Sequence, residues 1–163
     1  MLSLMNKKAL IKKIVTQLRE ELEACFNAAR TAHEEATHEQ SKAENKYDTR
    51  GLEASYLAHG QSRQAAELQA AIATFEQMDG LPFGCGDPVG VGALVELEHD
   101  GERTFCFVAS RAGGLEIMHE KREVMVITPQ SPLGGQLHGK KAGDSLQLAV
   151  GGARNKYRVA AVF

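Results

Sequence analysis

The first half of the sequence carries a long, uninterrupted pattern of apolar residues at helical spacing. From about Lys7 onward neither glycine nor proline interrupts the pattern before Gly51. Its apolar members recur every three or four positions: Ile11, Ile14, Leu18, Leu22, Cys25, Ala29, Ala32 and Ala36. This is the heptad seam of a coiled coil. It predicts a long helix that must bury one narrow stripe against a partner.

A second helical pattern follows Gly51, which is the only glycine before Gly60. Glycine costs about 1 kcal/mol in a helix interior relative to alanine, so Gly51 marks a bend. The apolar residues after it are Leu52, Leu57, Ala58, Ala65, Leu68, Ile72 and Phe75. In both stretches the seam residues become smaller toward the bend. This symmetry predicts an antiparallel coiled-coil hairpin over residues 1–79, with its tip near 44–53. A compact helical bundle is disfavoured because no third long helical pattern follows.

The predicted tip is acidic and carries Glu44, Asp48 and Glu53. Asp48 is the first candidate for a functional residue because it lies closest to the bend at Gly51. The competing interpretation is an ordinary solvated helix end with local pairs that run from Glu44 to Asp48 and Arg50.

Beyond the helices the apolar period changes from 3.6 to 2. Residues 80–90 contain two prolines and predict a linker, because proline and glycine disfavour helix and strand interiors. Strands are predicted over 93–98, 104–109, 115–118, 124–127, 145–150 and 157–163, within a domain spanning 91–163. Ser131 and Pro132 are a good N-cap and first helical residue for one short helix. The fold class is therefore α+β, with a helical hairpin followed by a small antiparallel sheet domain.

Composition excludes several classes of function. The net charge is −2 and neither half is basic, so the chain is not expected to bind free nucleic acid directly. Cys25, Cys85 and Cys106 are odd in number and widely spaced, which favours free thiols. No apolar stretch reaches the roughly 20 residues of a membrane helix. We expect a cytoplasmic protein that acts as a monomer and holds no metal of its own.

A coiled-coil hairpin followed by a sheet domain with Ser131-Pro132-Leu133, Gly139-Lys140-Lys141 and Gly143-Asp144 resembles the bacterial GreA/GreB transcription elongation factors. The resemblance covers nearly the whole chain. It implies an FKBP-like fold for the C-terminal domain.

The resemblance also implies a mechanism. In that family the C-terminal domain binds RNA polymerase, and Ser131, Pro132, Lys140 and Lys141 become the candidates for that contact. The coiled coil enters the secondary channel of the polymerase. There the acidic tip helps to hold a Mg²⁺ ion that is shared with the polymerase, and backtracked RNA is hydrolysed. RNA and DNA are met only within the transcription complex. The chain itself is then not an enzyme.

The tip departs from the family pattern, in which an Asp and a Glu lie three residues apart before Asn-Ala, an acid and Tyr. Here Glu44-Asn45 has Ser41 at the position of the first acid. If Ala54-Ser55-Tyr56 is aligned instead, the acidic positions fall on Thr49 and Leu52. Neither alignment preserves the acidic pair.

Three functions are therefore compared. The first is a Gre-type factor that promotes transcript cleavage through Asp48, Glu44 and Glu53. The second is a channel-binding regulator of RNA polymerase without cleavage stimulation. The third and most remote is a peptidyl-prolyl isomerase, which the FKBP-like fold suggests but which fold alone does not carry.

Overall fold

The structure is a computed structural model, and it describes residues 5–37, 57, 59–84 and 86–163. Among the described residues two helices come first: α1 spans Lys7–Thr37 and α2 spans His59–Glu76. Six strands and one short helix follow. They are β1 Leu94–His99, β2 Glu102–Val108, β3 Glu116–His119, β4 Arg122–Ile127, α3 Pro132–Leu137, β5 Ser145–Val150 and β6 Ala153–Val162. The α+β class and the short helix after Ser131 are confirmed.

The six strands form one sheet in the order β3-β4-β2-β1-β6-β5. Every neighbouring pair is antiparallel except β2 and β4, which run parallel with Phe105 opposite Val124. The prediction of an antiparallel sheet is therefore wrong for this pair. The physical reason is the crossover: β3 forms the sheet edge on the far side of β4, so the chain returns to pair with β2 in the same direction.

The chain divides into two compact units. One comprises Met1–Ile14 together with Thr74–Phe163, and the other comprises Val15–Ala73. In the second unit, Leu18 and Ala29 of α1 and Ala65 and Ala71 of α2 are buried, as a helical seam requires. The predicted tip at 44–53 lies outside the described residues. The domain boundaries at 79 and 91 and the antiparallel pairing of the two arms stay predictions.

The central strands of the sheet are buried on both faces. On one face, Val95, Leu97, Cys106 and Val159 form a core with Leu137 of α3. We call this the α3 face.

The other face of the sheet, called here the α1 face, carries Leu94 and Phe107, which are fully buried. The ring of Phe75, at the end of α2, lies 6.2 Å from that of Phe107. The first turns of α1 contact the same unit, since Lys13 Nζ donates to the carbonyl of Met118 at 3.1 Å. Burial of apolar side chains on both faces stabilises the sheet by about 25 cal/mol for each Å² removed from water.

Lys7 anchors the start of α1 inside this unit. Its side chain is buried, and Nζ donates to the carbonyls of Gly92 at 2.7 Å and Phe163 at 3.0 Å. The same ammonium lies 4.7 Å from the centre of the Phe83 ring. Desolvation lowers the pKa of Lys7 to about 8, against the opposing charge of Asp79. The two carbonyls and the Phe83 ring therefore stabilise the ammonium charge of Lys7, which burial destabilises.

The short helix α3 is fixed by its first turn. Ser131 Oγ accepts from the Gly134 amide at 3.0 Å and donates to the Thr128 carbonyl at 2.7 Å. A Cβ at Gly134 would lie 1.8 Å from the Thr128 carbonyl oxygen. A glycine is therefore required here for close approach of two backbone segments.

We predict that Gly134→Ala lowers the free energy of unfolding by at least about 2 kcal/mol, because the added carbon overlaps backbone atoms that cannot move independently. Gly135→Ala is the matched control, since its Cβ would meet nothing closer than the Pro129 carbonyl oxygen at 3.3 Å. Urea unfolding followed by circular dichroism measures both variants. Equal stability of the two variants would contradict the prediction.

We predict a pH-dependent difference in stability between the wild type and Lys7→Met. Because the pKa of Lys7 is lowered from 10.5 to about 8 in the folded state, the unfolded chain binds more protons between these values. Stability contributed by Lys7 therefore rises with pH across this window, by up to about 1.4 kcal/mol per pH unit.

The difference between wild type and variant isolates this effect. Burial raises the pKa of Cys106 to about 12, which lowers stability above about pH 9. This contribution is present in both proteins and cancels. Urea unfolding at pH 7.5–10.5 checks the prediction, with the exposed Lys8→Met as control. The prediction is wrong if the difference in the free energy of unfolding between the wild type and Lys7→Met does not change with pH.

Candidate functional site

The residues predicted to contact a partner lie around the short helix. Ser131 and Pro132 begin α3, and Pro132 is exposed at its first position. Lys140 and Lys141 follow the end of α3, so the two pairs are separated by the length of the helix, about 9 Å. The structure places them on one loop-helix-loop segment without joining them into a single cluster.

The backbone of this segment is firmly held. Lys140 donates its amide to Leu137 and accepts from the Val89 amide at 2.7 Å, while the Lys141 amide donates to Asp144 Oδ2 at 2.8 Å. Ser131 acts as the N-cap of α3. Its hydroxyl is therefore used in structure, and the exposed groups available to a partner are Pro132 and the ammonium of Lys141.

A groove of about 490 Å³ opens beside α3 on the α3 face. It exists because α3 has only six residues and covers only part of that face. Its lining includes six apolar or aromatic side chains: Leu97, Cys106, Met125, Leu133, Leu148 and Tyr157. No motif in the sequence marks these residues as functional. The alternating pattern of the strands indicates which residues share a face, but not which part of that face a helix leaves open.

Two features define the chemistry of the groove. Met125 is 40% exposed and Met118, on the same face of the neighbouring strand, is 61% exposed. Methionine side chains adapt their shape to an apolar partner. The carboxylates of Glu116 and Glu123 line the same groove beside Met125. The groove therefore suits an apolar segment that also carries charged residues.

Three cations also border the groove: Arg103, Lys121 and Arg122. Arg103 Nη1 contacts Glu96 Oε1 at 2.6 Å. The guanidinium of Arg122 lies 4.9 Å from the centre of the Phe105 ring. The edge of the groove therefore carries charges of both signs.

The cysteine that lines the groove is not a reactive nucleophile. The thiol of Cys106 is buried, and burial raises its pKa to about 12, so it stays protonated and unreactive at neutral pH. Cys25 and Cys106 are free thiols, as predicted, and Cys85 lies outside the described residues. Tyr157 is held by stacking on His99, with ring centres 4.6 Å apart.

Asp48, Glu44 and Glu53 lie outside the described residues, so their predicted role at the tip stays a prediction. Among the side chains that the structure describes, no group of three or more His, Cys, Asp or Glu is arranged to hold a metal ion. Neither long helix, over its described length, has an apolar segment suited to crossing a membrane.

Comparison with known proteins identifies relatives along nearly the full chain. No protein-family model matches it. The "Transcription inhibitor protein Gfh1" of Thermus thermophilus is 30% identical over 161 residues, covering 95% of this chain and 94% of the relative. The crystal structure of Thermus aquaticus Gfh1 is 29% identical, covers 96% of this chain and 94% of that one, and superposes with a TM-score of 0.41. The crystal structure of "GreA factor homolog 1 (Gfh1)" of Thermus thermophilus is 25% identical, covers 97% and 95%, and has a TM-score of 0.38.

Proposed function

Because the chain belongs to the family of Gre-like transcription factors that includes Gfh1, we propose that it is an inhibitory regulator that binds RNA polymerase. The observation that carries this proposal is the end-to-end similarity to proteins described as transcription inhibitors. The predicted hairpin would enter the secondary channel, and the sheet unit would attach the factor to the polymerase. This is the second of the three functions compared above.

The sequence of the predicted tip supports inhibition over cleavage. Neither alignment of the tip preserves two acids three residues apart, and Lys46 and Arg50 lie among the three carboxylates. Positive side chains nearby weaken the attraction of a carboxylate for a divalent cation. A tip of this kind can occupy the channel without completing a metal site.

Transcript cleavage is retained as a second candidate because Glu44, Asp48 and Glu53 are still grouped in the predicted tip. One or two carboxylates suffice to help hold a Mg²⁺ ion that keeps most of its waters. The ion would belong to the polymerase active centre, and this chain would supply only ligands. An isomerase is not supported, since Tyr157 is the one aromatic side chain that the described groove presents on the α3 face.

We propose the groove as the attachment surface for polymerase. It lies beside Pro132, which the family resemblance already suggests as a contact, and Leu133 is shared between α3 and the groove lining. Its apolar floor and the charged residues at its edge suit a polymerase segment of mixed apolar and charged character. Burying such a floor supplies most of the affinity, and the charged residues supply orientation.

An assay on a stalled, backtracked elongation complex of the cognate polymerase distinguishes the two candidate functions. We predict that the protein slows nucleotide addition and leaves the stalled transcript at its original length. We also predict that Asp48→Ala changes inhibition less than tenfold, with Glu20→Ala as a control acid outside the tip. Shortening of the transcript that Asp48→Ala abolishes would establish cleavage instead. If the protein causes neither inhibition nor shortening of the transcript, both candidate functions are overturned.

We predict that Met125→Glu weakens binding to polymerase by at least about tenfold, because a carboxylate in the groove is desolvated on binding and faces two other carboxylates. Val91→Glu is the matched control, since Val91 is 49% exposed and lies outside the groove. Fluorescence anisotropy of labelled protein titrated with core polymerase measures both affinities. Equal affinity of the two variants would show that the groove is not the attachment surface.

A further inference from the structure

The hairpin formed by β5 and β6 has one face that no part of its unit covers. The strands are joined by Gly151 and Gly152, whose φ angles of 59° and 83° give a tight two-residue turn. One face of the hairpin buries Leu146 and Val159 in the core. The residues of the opposite face are all exposed: Ser145, Gln147, Ala149, Arg154, Lys156 and Arg158.

This exposed face is basic. Three cations follow one another at alternate positions of β6, and β5 contributes no acid to the same face. Arg158 Nη2 contacts Glu98 Oε2 at 2.6 Å. Within the part of the chain that the structure describes, Arg154 and Lys156 form no ion pair. We call Arg154, Lys156 and Arg158 the basic ribbon.

The neighbouring strands do not neutralise the ribbon. Glu98 of β1 lies between Arg158 on one side and Arg103 on the other in the sheet register. Glu96 is 1% exposed, and Arg103 Nη1 contacts its Oε1 at 2.6 Å. Each glutamate therefore has an arginine of its own, and the charges of Arg154 and Lys156 remain in excess.

The spacing of the ribbon suits a regular array of negative charges. Alternate residues of an antiparallel strand are about 6.8 Å apart. Neighbouring phosphates of one DNA strand rise by about 3.4 Å along the helix axis, but they lie about 7 Å apart because the backbone winds around that axis. Neighbouring cations of the ribbon can therefore meet neighbouring phosphates along a short length of one strand.

We propose that the basic ribbon binds the phosphate backbone of duplex DNA, without reading its sequence. The hydroxyl of Ser145 and the amide of Gln147 add hydrogen-bonding groups of the kind that contact phosphate oxygens. Single-stranded nucleic acid is a poorer fit, because single-strand binders stack bases on aromatic rings. Tyr157, the aromatic residue of β6 next to the ribbon, faces the opposite side and stacks on His99.

The overall charge of the chain conceals this surface. The net charge is −2, which argued against direct binding to nucleic acid in the sequence analysis. Electrostatic attraction at a contact depends on the charges within about one Debye length, roughly 10 Å at 0.1 M salt. The fold places neighbouring cations of the ribbon within that distance of one another, and Arg154 and Lys156 have no ion-pair partner among the described residues.

The test is anisotropy of a fluorescein-labelled 20-base-pair duplex titrated with the full chain at 20–100 mM salt. Arg154 and Lys156, the two ribbon cations without a carboxylate partner, predict a slope of log Kobs against log salt of about −1.8, which is a loss of affinity of about 18-fold over this range. Arg154→Gln with Lys156→Gln removes both contacts, and predicts binding at 20 mM salt that is at least about tenfold weaker, with a slope near zero. Circular dichroism confirms that the variant is folded.

The control is Lys8→Gln with Lys121→Gln, which removes the same charge from exposed positions outside the ribbon. It is expected to keep the slope of the wild type. An equal loss in the control would show that overall charge, and not the ribbon, governs binding. Absence of duplex binding at 20 mM salt would overturn the proposal, as would tighter binding of the single-stranded 20-mer. Displacement of the duplex by poly-glutamate at equal charge would assign the ribbon to an acidic protein instead.

Discussion

Burial of the central strands on both faces is the constraint on which the C-terminal unit depends. Leu94 and Phe107 point to one face, and Val95 and Val108 point to the other. A sheet of this kind must be covered twice. The first turns of α1 and Phe75 cover the α1 face, while α3 covers part of the α3 face.

The unequal size of these covers places the surfaces that can meet partners. Because α3 is short, the α3 face keeps an open apolar groove beside Met125. On the opposite side of the sheet, the β5–β6 hairpin presents its basic ribbon to solvent. One surface suits an apolar protein segment and the other a polyanion. A factor that attaches to a transcribing polymerase meets both kinds of partner, so the two proposals are compatible but independently testable.

Much of the fold could be predicted because the local signals agree with one another. The strand predicted over 93–98 is found as Leu94–His99, and Ser131 caps α3 as expected. The sixth strand was predicted to begin at Tyr157 but begins at Ala153. Its first residues are mostly polar and exposed, so no apolar alternation marks them. Only pairing with β5 makes them a strand, and the basic ribbon was missed for the same reason.

The candidate site was less predictable than the fold. Pro132 and Lys141 could be proposed only through the family resemblance, and the groove lining was not identified at all, because no sequence spacing links residues that strand pairing alone brings together.

The sequence by itself determined the two periods of apolar residues, the short capped helix and the acidic composition of 44–53. These properties depend on neighbours a few positions away, which the chain order specifies. Only the tertiary structure decided the parallel pairing of β2 with β4, the open part of the α3 face and the separation of Arg154 and Lys156 from carboxylates. Those properties depend on which distant strands become neighbours, and on how much of a face a helix of fixed length can cover.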